Sequence, residues 1–425
     1  MNVKIAQHLL LVAAMLQSFS PLAVSAEQGK DNCNDSPTVI QSVRVFDGHT
    51  VIPEAHVTIQ CERISQLIVA DGPPDVPEGS IVIDGEGKTL LPGLFESHAH
   101  TFRRAMLERS LDFGVTTVLD MGSVSTDFVS NIRAEDAIQQ ASDRADLYSA
   151  VLWVTAPGSH GTQFGEVATL TEPADAAAFV AQRIEDGADF IKIIYDNFKM
   201  IDRPVPTLSK ETMTAVVAAA HAQGKIAVVH SRDVEAFADV IEAGADGFVH
   251  TPVDETLDAK TIAMIKAQDM YVGPNMSMLR PVGNRLIEDP NIGPMLSEDE
   301  RTNLLGFRPM HRDGGEIISE ASVAALHAAG VTLLASTDSP NGGTTPGASM
   351  HLELELLVDI GLSPVEALQA ATSNPARVFG FGDRGRIAEG FLADLILVDG
   401  RPDENIKDTR RLHTVWKAGT AYSGP

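Results

Sequence analysis

Apolar and polar positions follow two different rhythms along this chain. Between Thr38 and Leu90, the stretches "TVIQSVRVFDG", "AHVTIQCERISQLIVADG" and "SIVIDGEGKTLLPG" alternate with period two and stop at Gly, Asp or Pro. That is the mark of short strands joined by turns. The same texture returns at the far end in "GRIAEGFLADLILVDG" and "HTVWKAGTAYSG". Matching ends predict one small β-sandwich domain built from residues 27–90 and 384–425.

The middle, residues 91–383, reads differently. Eight short apolar runs occur there: "LLPGLFES", "GVTTVLDMG", "LYSAVLWVTAPG", "DFIKIIYD", "KIAVVHS", "DGFVHTP", "MYVGPNMSM" and "VTLLASTDS". Amphipathic stretches such as "SKETMTAVVAAAHAQG", "DVEAFADVIEAG" and "TLDAKTIAMIKAQD" separate them, starting near Ser, Asp or Thr and often stopping at Gly. Strand–helix alternation implies parallel strands with helical crossovers. Eight such units predict an α/β fold, a (β/α)8 TIM-like barrel. An open doubly wound sheet is the alternative, but no Gly-rich phosphate loop follows the first run. Residues 291–325 are expected to add helix and loop over the barrel mouth.

Length and composition agree: 425 residues, 44% hydrophobic and 21% charged, suit one large and one small domain. The first 26 residues stand apart. Lys4 precedes the apolar "IAQHLLLVAAML", and Ala23–Ala26, "AVSA", offers small residues for cleavage. This predicts a secretory signal peptide and an exported protein, periplasmic or extracellular. A membrane anchor is the weaker reading, because a span needs roughly 20 apolar residues. The net charge of −26 argues against nucleic acid and anionic membrane surfaces as partners. Cys33 and Cys61 are the two cysteines. An exported chain allows a disulfide between them, yet spacing does not decide between a bridge and two thiols.

In a barrel, chemistry gathers at the C-terminal ends of the strands. The first run ends in His98 and His100, whose two-residue spacing puts both imidazoles on one face. The fourth run carries Lys192, the fifth ends in His230, the sixth in His250 and the eighth in Asp338. Runs two, three and seven show no comparable ligand. Taken singly, each histidine has a bland reading as a solvated or structural side chain, and Asp338 as a cap. Lys192 is more telling, since an unpaired ammonium inside an apolar strand costs several kcal/mol. It must be deprotonated, paired or chemically altered, unless its stem reaches water.

These residues, with the late block "ATSNPARVFGF…GRIAEGFLADLILVD", resemble the metal-dependent amidohydrolase superfamily from about Val39 to Ala421. The branch suggested holds imidazolonepropionase-like, Xaa-Pro dipeptidase-like and phenylurea hydrolase-like proteins. The resemblance implies two divalent metal ions, zinc foremost. His98, His100 and Asp338 would hold one and His230 and His250 the other, with Lys192 bridging them as a carbamate formed from carbon dioxide. It also implies a metal-activated hydroxide attacking a C–N amide carbonyl, with Asp338 as general base and then acid. Members often carry Asp two residues before the first histidine, where this chain has Glu96; Ser231-Arg232 after His230 is a further departure.

The substrate is less legible. His160, in the Gly-rich "TAPGSHGTQFG" after the third run, is a candidate for the substrate carbonyl or leaving group. Tyr195 and Arg232 are candidates for a substrate hydrogen bond and a substrate carboxylate. Met276 and Met278 suggest an apolar wall. The first reading is a dipeptide, N-acyl amino acid or related small amide. The alternative is a urea, carbamate or aryl amide, and a barrel that binds metal or ligand without hydrolysis is the outside reading. The oligomeric state is left open.

Overall fold

The computed structural model describes residues 36–424, except 70–71, 73–75, 124, 139–140, 202 and 310. The expected signal peptide and Cys33 lie outside the described residues.

Strands β1 (Thr38–Phe46), β2 (Val51–Gln60), β3 (Arg63–Val69), β4 (Ile81–Asp84) and β5 (Lys88–Pro92) fill the early alternating stretch. The eight apolar runs become β6 (Leu94–Ala99), β7 (Val115–Asp120), β8 (Asp146–Ser149), β9 (Ile191–Ile194), β10 (Ala227–His230), β11 (Gly247–Val249), β12 (Tyr271–Gly273) and β13 (Thr332–Leu333). The late stretch gives β14 (Leu395–Asp399), β15 (Leu412–Lys417) and β16 (Thr420–Tyr422).

The two ends do meet. One eight-stranded sheet runs β16-β15-β14-β5-β1-β2-β3, with β4 beside β1. Its join is the antiparallel pair β14–β5, from Leu395 opposite Pro92 to Asp399 opposite Lys88. The buried faces of these strands build their own core, including Ile40, Val45, Val57, Leu90, Leu397 and Trp416.

The eight middle strands are parallel and fall into two sheets, β6-β7-β8 and β13-β12-β11-β10-β9. Isolated backbone bonds join their edges. On one side Val154 N donates to Lys192 O at 2.8 Å, and Ile194 N to Val154 O at 2.9 Å. On the other, Asp338 N donates to His98 O at 2.7 Å, and His100 N to Ser339 O at 2.8 Å. Nearly continuous burial of β6, β7, β9 and β10 matches strands covered on both faces.

Several helix starts follow from their first residues. Ser209, Asp233 and Asp258 each accept a backbone N–H from three residues on, capping helices 210–222, 234–243 and 259–267. Gly244, at φ 74°, ends the second of these in the left-handed region. Within 291–325, Ser297 and Glu300 form a capping box for a helix over 298–305. Among the described residues, no helix is long and apolar enough to cross a membrane.

Candidate metal centre and its cavity

The six strand-end residues come together. Asp338 Oδ1 lies 3.3 Å from His98 Nε2 and 3.2 Å from His100 Nε2, and Oδ2 lies 3.7 Å from His250 Nε2. Lys192 Nζ is 3.4 Å from His98 Nε2. The His230 and His250 ring centres are 4.4 Å apart. Ligand atoms of His98, His100 and Asp338 all fall within 4.8 Å of one another. His250 and Asp338 hold left-handed backbone at φ 73° and 55°. Non-glycine residues seldom adopt it, and it costs about 1–3 kcal/mol where it occurs.

Hydrogen bonds decide which nitrogen each imidazole presents. Asn275, at the end of β12, donates its NH2 to Gly273 O at 2.8 Å, while its oxygen accepts from Asp338 N at 3.1 Å and His98 Nδ1 at 3.2 Å. His100 Nδ1 donates to Gly122 O at 2.8 Å. Both rings therefore carry the Nδ1 proton, which leaves Nε2 as a lone pair in the neutral form. Two lone pairs then face a carboxylate oxygen. Asp338 Oδ1 and His250 Nε2 are buried and make no hydrogen bond. Such a cluster calls for a cation among its acceptors, and imidazole with carboxylate suits zinc-like ions. His230 differs, for its Nε2 contacts Asp196 Oδ2 at 3.1 Å, which leaves Nδ1 toward the cluster.

Electrostatics agree for three of the four imidazoles. Burial holds His98 and His250 well below the usual histidine range, and lowers His230 too. Burial opposes charge on His100 as well, but the Asp338 carboxylate outweighs it and raises that ring. Asp338 is pulled to about 2, its burial outweighed by His100, His250 and Lys192. Lys192 is 2% exposed and, among the described residues, has no carboxylate within ion-pair distance. Burial brings it down to about 7. The neutral amine so favoured is the form that reacts with carbon dioxide.

Supporting groups surround the cluster. Glu96 accepts from His98 N and Thr337 N, each at 3.0 Å, and from Thr337 Oγ1, tying the end of β6 to the segment before Asp338. Burial pushes it to about 8. Asp196 accepts from Arg232 Nε at 2.8 Å. Asp120, at the end of β7, accepts from Thr101 N and Ser149 Oγ, and burial pushes it to about 6. Asp120 and Asn275 are two functional groups that the sequence pattern does not bring out among the candidate ligands. "VLDMG" and "VGPN" held the signal, a polar residue where an apolar run stops.

All of the cluster but His98 lines a cavity of about 780 Å3. His160 and Arg232 line it, together with Trp153, Phe164, Met278 and Arg308. From the 291–325 segment, Asp299, Thr302, Asn303 and Gly306 also line it. Burial, followed by the charges of His230 and Arg232, pushes His160 to about 2. Tyr195 departs from expectation. Its hydroxyl donates to Asp239 Oδ2 at 2.8 Å, on helix 234–243, and it does not line the cavity. The reason is strand geometry: three residues beyond Lys192 it projects from the opposite face. Met276 is buried outside the lining.

The chain belongs to the Amidohydrolase family, whose pattern it matches over residues 89–421. A shorter stretch of 76 residues is 45% identical to an imidazolonepropionase of Cereibacter sphaeroides, covering 18% of this chain and 19% of that protein. The match thus spans about a fifth of that relative. Two solved structures share the fold. One is a Xaa-Pro dipeptidase with bound methionine in the active site, at TM-score 0.74 and 23% identity over 92% of this chain and 100% of that one. The other is phenylurea hydrolase B, at TM-score 0.69 and 23% identity over 91% and 97%.

Proposed function

We propose that this protein is a metal-dependent hydrolase of a C–N amide bond in a small molecule, a dipeptide, N-acyl amino acid or related amide. The observation that carries the proposal is the convergence of His98, His100, Lys192, His230, His250 and Asp338 from five strand ends, all but His98 lining one cavity. His98, His100 and Asp338 would hold one divalent ion, and His230 and His250 a second, with Lys192 between them as its carbamate. Zinc is the proposed ion. Bound there, such ions supply Lewis acidity, making water more acidic and a carbonyl more electrophilic.

The chain's own groups do the rest. Asp338 is ionised and aimed at the cluster, so it can take a proton from the attacking water and return it to the leaving nitrogen. The water O–H and substrate C–N bonds break while C–O and N–H bonds form. His160 would meet the substrate carbonyl, and Arg232, steadied by Asp196, would face a substrate carboxylate. Trp153, Phe164 and Met278 give the cavity an apolar wall. Ureas, carbamates and aryl amides remain the second reading, favoured by that wall and by the fold shared with phenylurea hydrolase B.

We further propose that the two parallel sheets act as one (β/α)8 barrel, with seams at Val154 and at residues 335–339. The terminal strands would form a β-sandwich domain beside it. An experimental structure with either seam open would reject the barrel. Export of the mature chain is likewise proposed, and an intact residue 1–26 segment on the protein from its native host would contradict it.

The decisive experiment is a panel of dipeptides, N-acyl amino acids, ureas, carbamates and aryl amides, run with zinc-, manganese- and cobalt-loaded protein. Turnover of the first two groups is expected, whereas activity on none would reject hydrolysis.

A further inference from the structure

The loop after Val154 holds a side chain to which the reaction above gives no part, Gln163. Gly161 lies at φ 98°, and a Cβ there would sit 2.2 Å from Trp153 Nε1 and 2.9 Å from Ile194 Cδ1. The loop is thus pressed onto the indole as only glycine allows. Its backbone there is turned so that Gly161 N donates to Gln163 Oε1 at 2.8 Å. A backbone N–H can only donate, so this contact fixes which end of the Gln163 amide is oxygen. The NH2 end then lies 2.9 Å from His160 Nδ1. An amide NH2 also only donates, so Nδ1 is an acceptor and the ring proton belongs on Nε2. The His160 ring is flanked by Phe198, with centroids 4.6 Å apart, and by His230, at 5.2 Å. It lines the cavity, and its Nε2 makes no hydrogen bond among the described residues.

We propose that Gln163 is a positioning residue that locks His160 in its Nε2–H tautomer, so that His160 donates a hydrogen bond to the substrate carbonyl oxygen as that oxygen gains charge. This rests on the hydrolytic reading above. A fixed, neutral N–H aimed at a developing oxyanion stabilises it without rearrangement or proton loss. Gly161, Gln163 and His160 form a relay in which one backbone N–H sets the direction of the whole chain of donors.

The test uses zinc-loaded protein labelled with 15N-histidine, with His160→Asn to assign the signal. Wild-type His160 is expected as Nε2–H at neutral pH. Gln163→Glu keeps the shape of an exposed side chain but replaces the NH2 donor with an acceptor, and should draw the proton to Nδ1. In that variant kcat should fall about 100-fold, with KM within about threefold of wild type. Gln163→Ala should fall between the two. A ring protonated on Nδ1 in an active wild-type enzyme, or a Glu variant with wild-type kcat, overturns the role of Gln163. Failure to hydrolyse any amide overturns the donor role through the hydrolytic reading itself, whatever tautomer the spectrum shows.

Discussion

Among the described residues Lys192 and Lys417 are both buried, and both sit on strands. Their surroundings are opposite. Lys417 Nζ lies 3.0 Å from Asp146 Oδ2 and 3.0 and 3.1 Å from the two Asp394 oxygens. Arg384 shares Asp146 at 2.6 Å. Burial works against its charge, but the two carboxylates outweigh it, so the ammonium is favoured. Lys192 meets imidazoles instead, and burial brings it to about 7. One lysine is saturated and ties the β14–β15 pair to β8. The other is left short of partners beside acceptors that also lack them. A fold tolerates that shortage where a ligand is due to fill it, so an unsatisfied buried charge points to chemistry and a satisfied one to architecture.

The contrast can be broken by experiment, most sharply at the site. Asp338→Asn should leave the secondary structure intact by circular dichroism yet lower kcat by about a thousandfold, within the span of general acid–base effects. Survival of turnover would remove Asp338 from the mechanism. Next come the lysines, compared by denaturant unfolding of metal-free protein. Lys417→Met should cost about 3–5 kcal/mol, because it strands Asp394 in the interior and leaves Asp146 with Arg384 alone. Lys192→Met should leave stability level or higher, since it removes a buried polar group with no carboxylate partner, while abolishing activity. Equal destabilisation by both would erase the distinction.

The smallest effect concerns a histidine that is satisfied rather than waiting. Buried His351 has both ring nitrogens partnered, by Thr409 Oγ1 and Phe113 O, each at 3.0 Å. Burial, with Arg410 adding to it, lowers its pKa from 6.5 to about 4. The unfolded chain therefore binds the extra proton first as pH falls. Stability contributed by the neutral ring is complete above pH 6.5 and drains away toward pH 4, by roughly 3 kcal/mol in all. His351→Gln should flatten the fall in unfolding free energy over that window. An unchanged slope would place the titration elsewhere.

Much of this was legible beforehand. All eight middle runs became strands, and the helices at 210–222 and 234–243 start at the residues expected to cap them, whereas 259–267 is capped by Asp258, two residues past the expected Thr256. The two chain ends share a sheet through β14 and β5. Tyr195 was misplaced although its odd offset from Lys192 carried the answer, and Asp120 was missed although it ends a run like the others. Glu96, flagged only as a departure, proves to hold the backbone at His98 and Thr337.

What the chain's order of residues determined alone was where strands end and which donor types stand there. Period-two alternation and apolar runs are local properties, set by nearest neighbours along the backbone. What only the folded protein decided was which nitrogen each imidazole presents and which charges go unpaired. His98 takes its tautomer from Asn275, 177 positions away, and Lys417 its partner Asp146 from 271 away. Hydrogen bonds act over about 3 Å of space, and nothing in a residue's sequence neighbours reports what folding will bring within that distance.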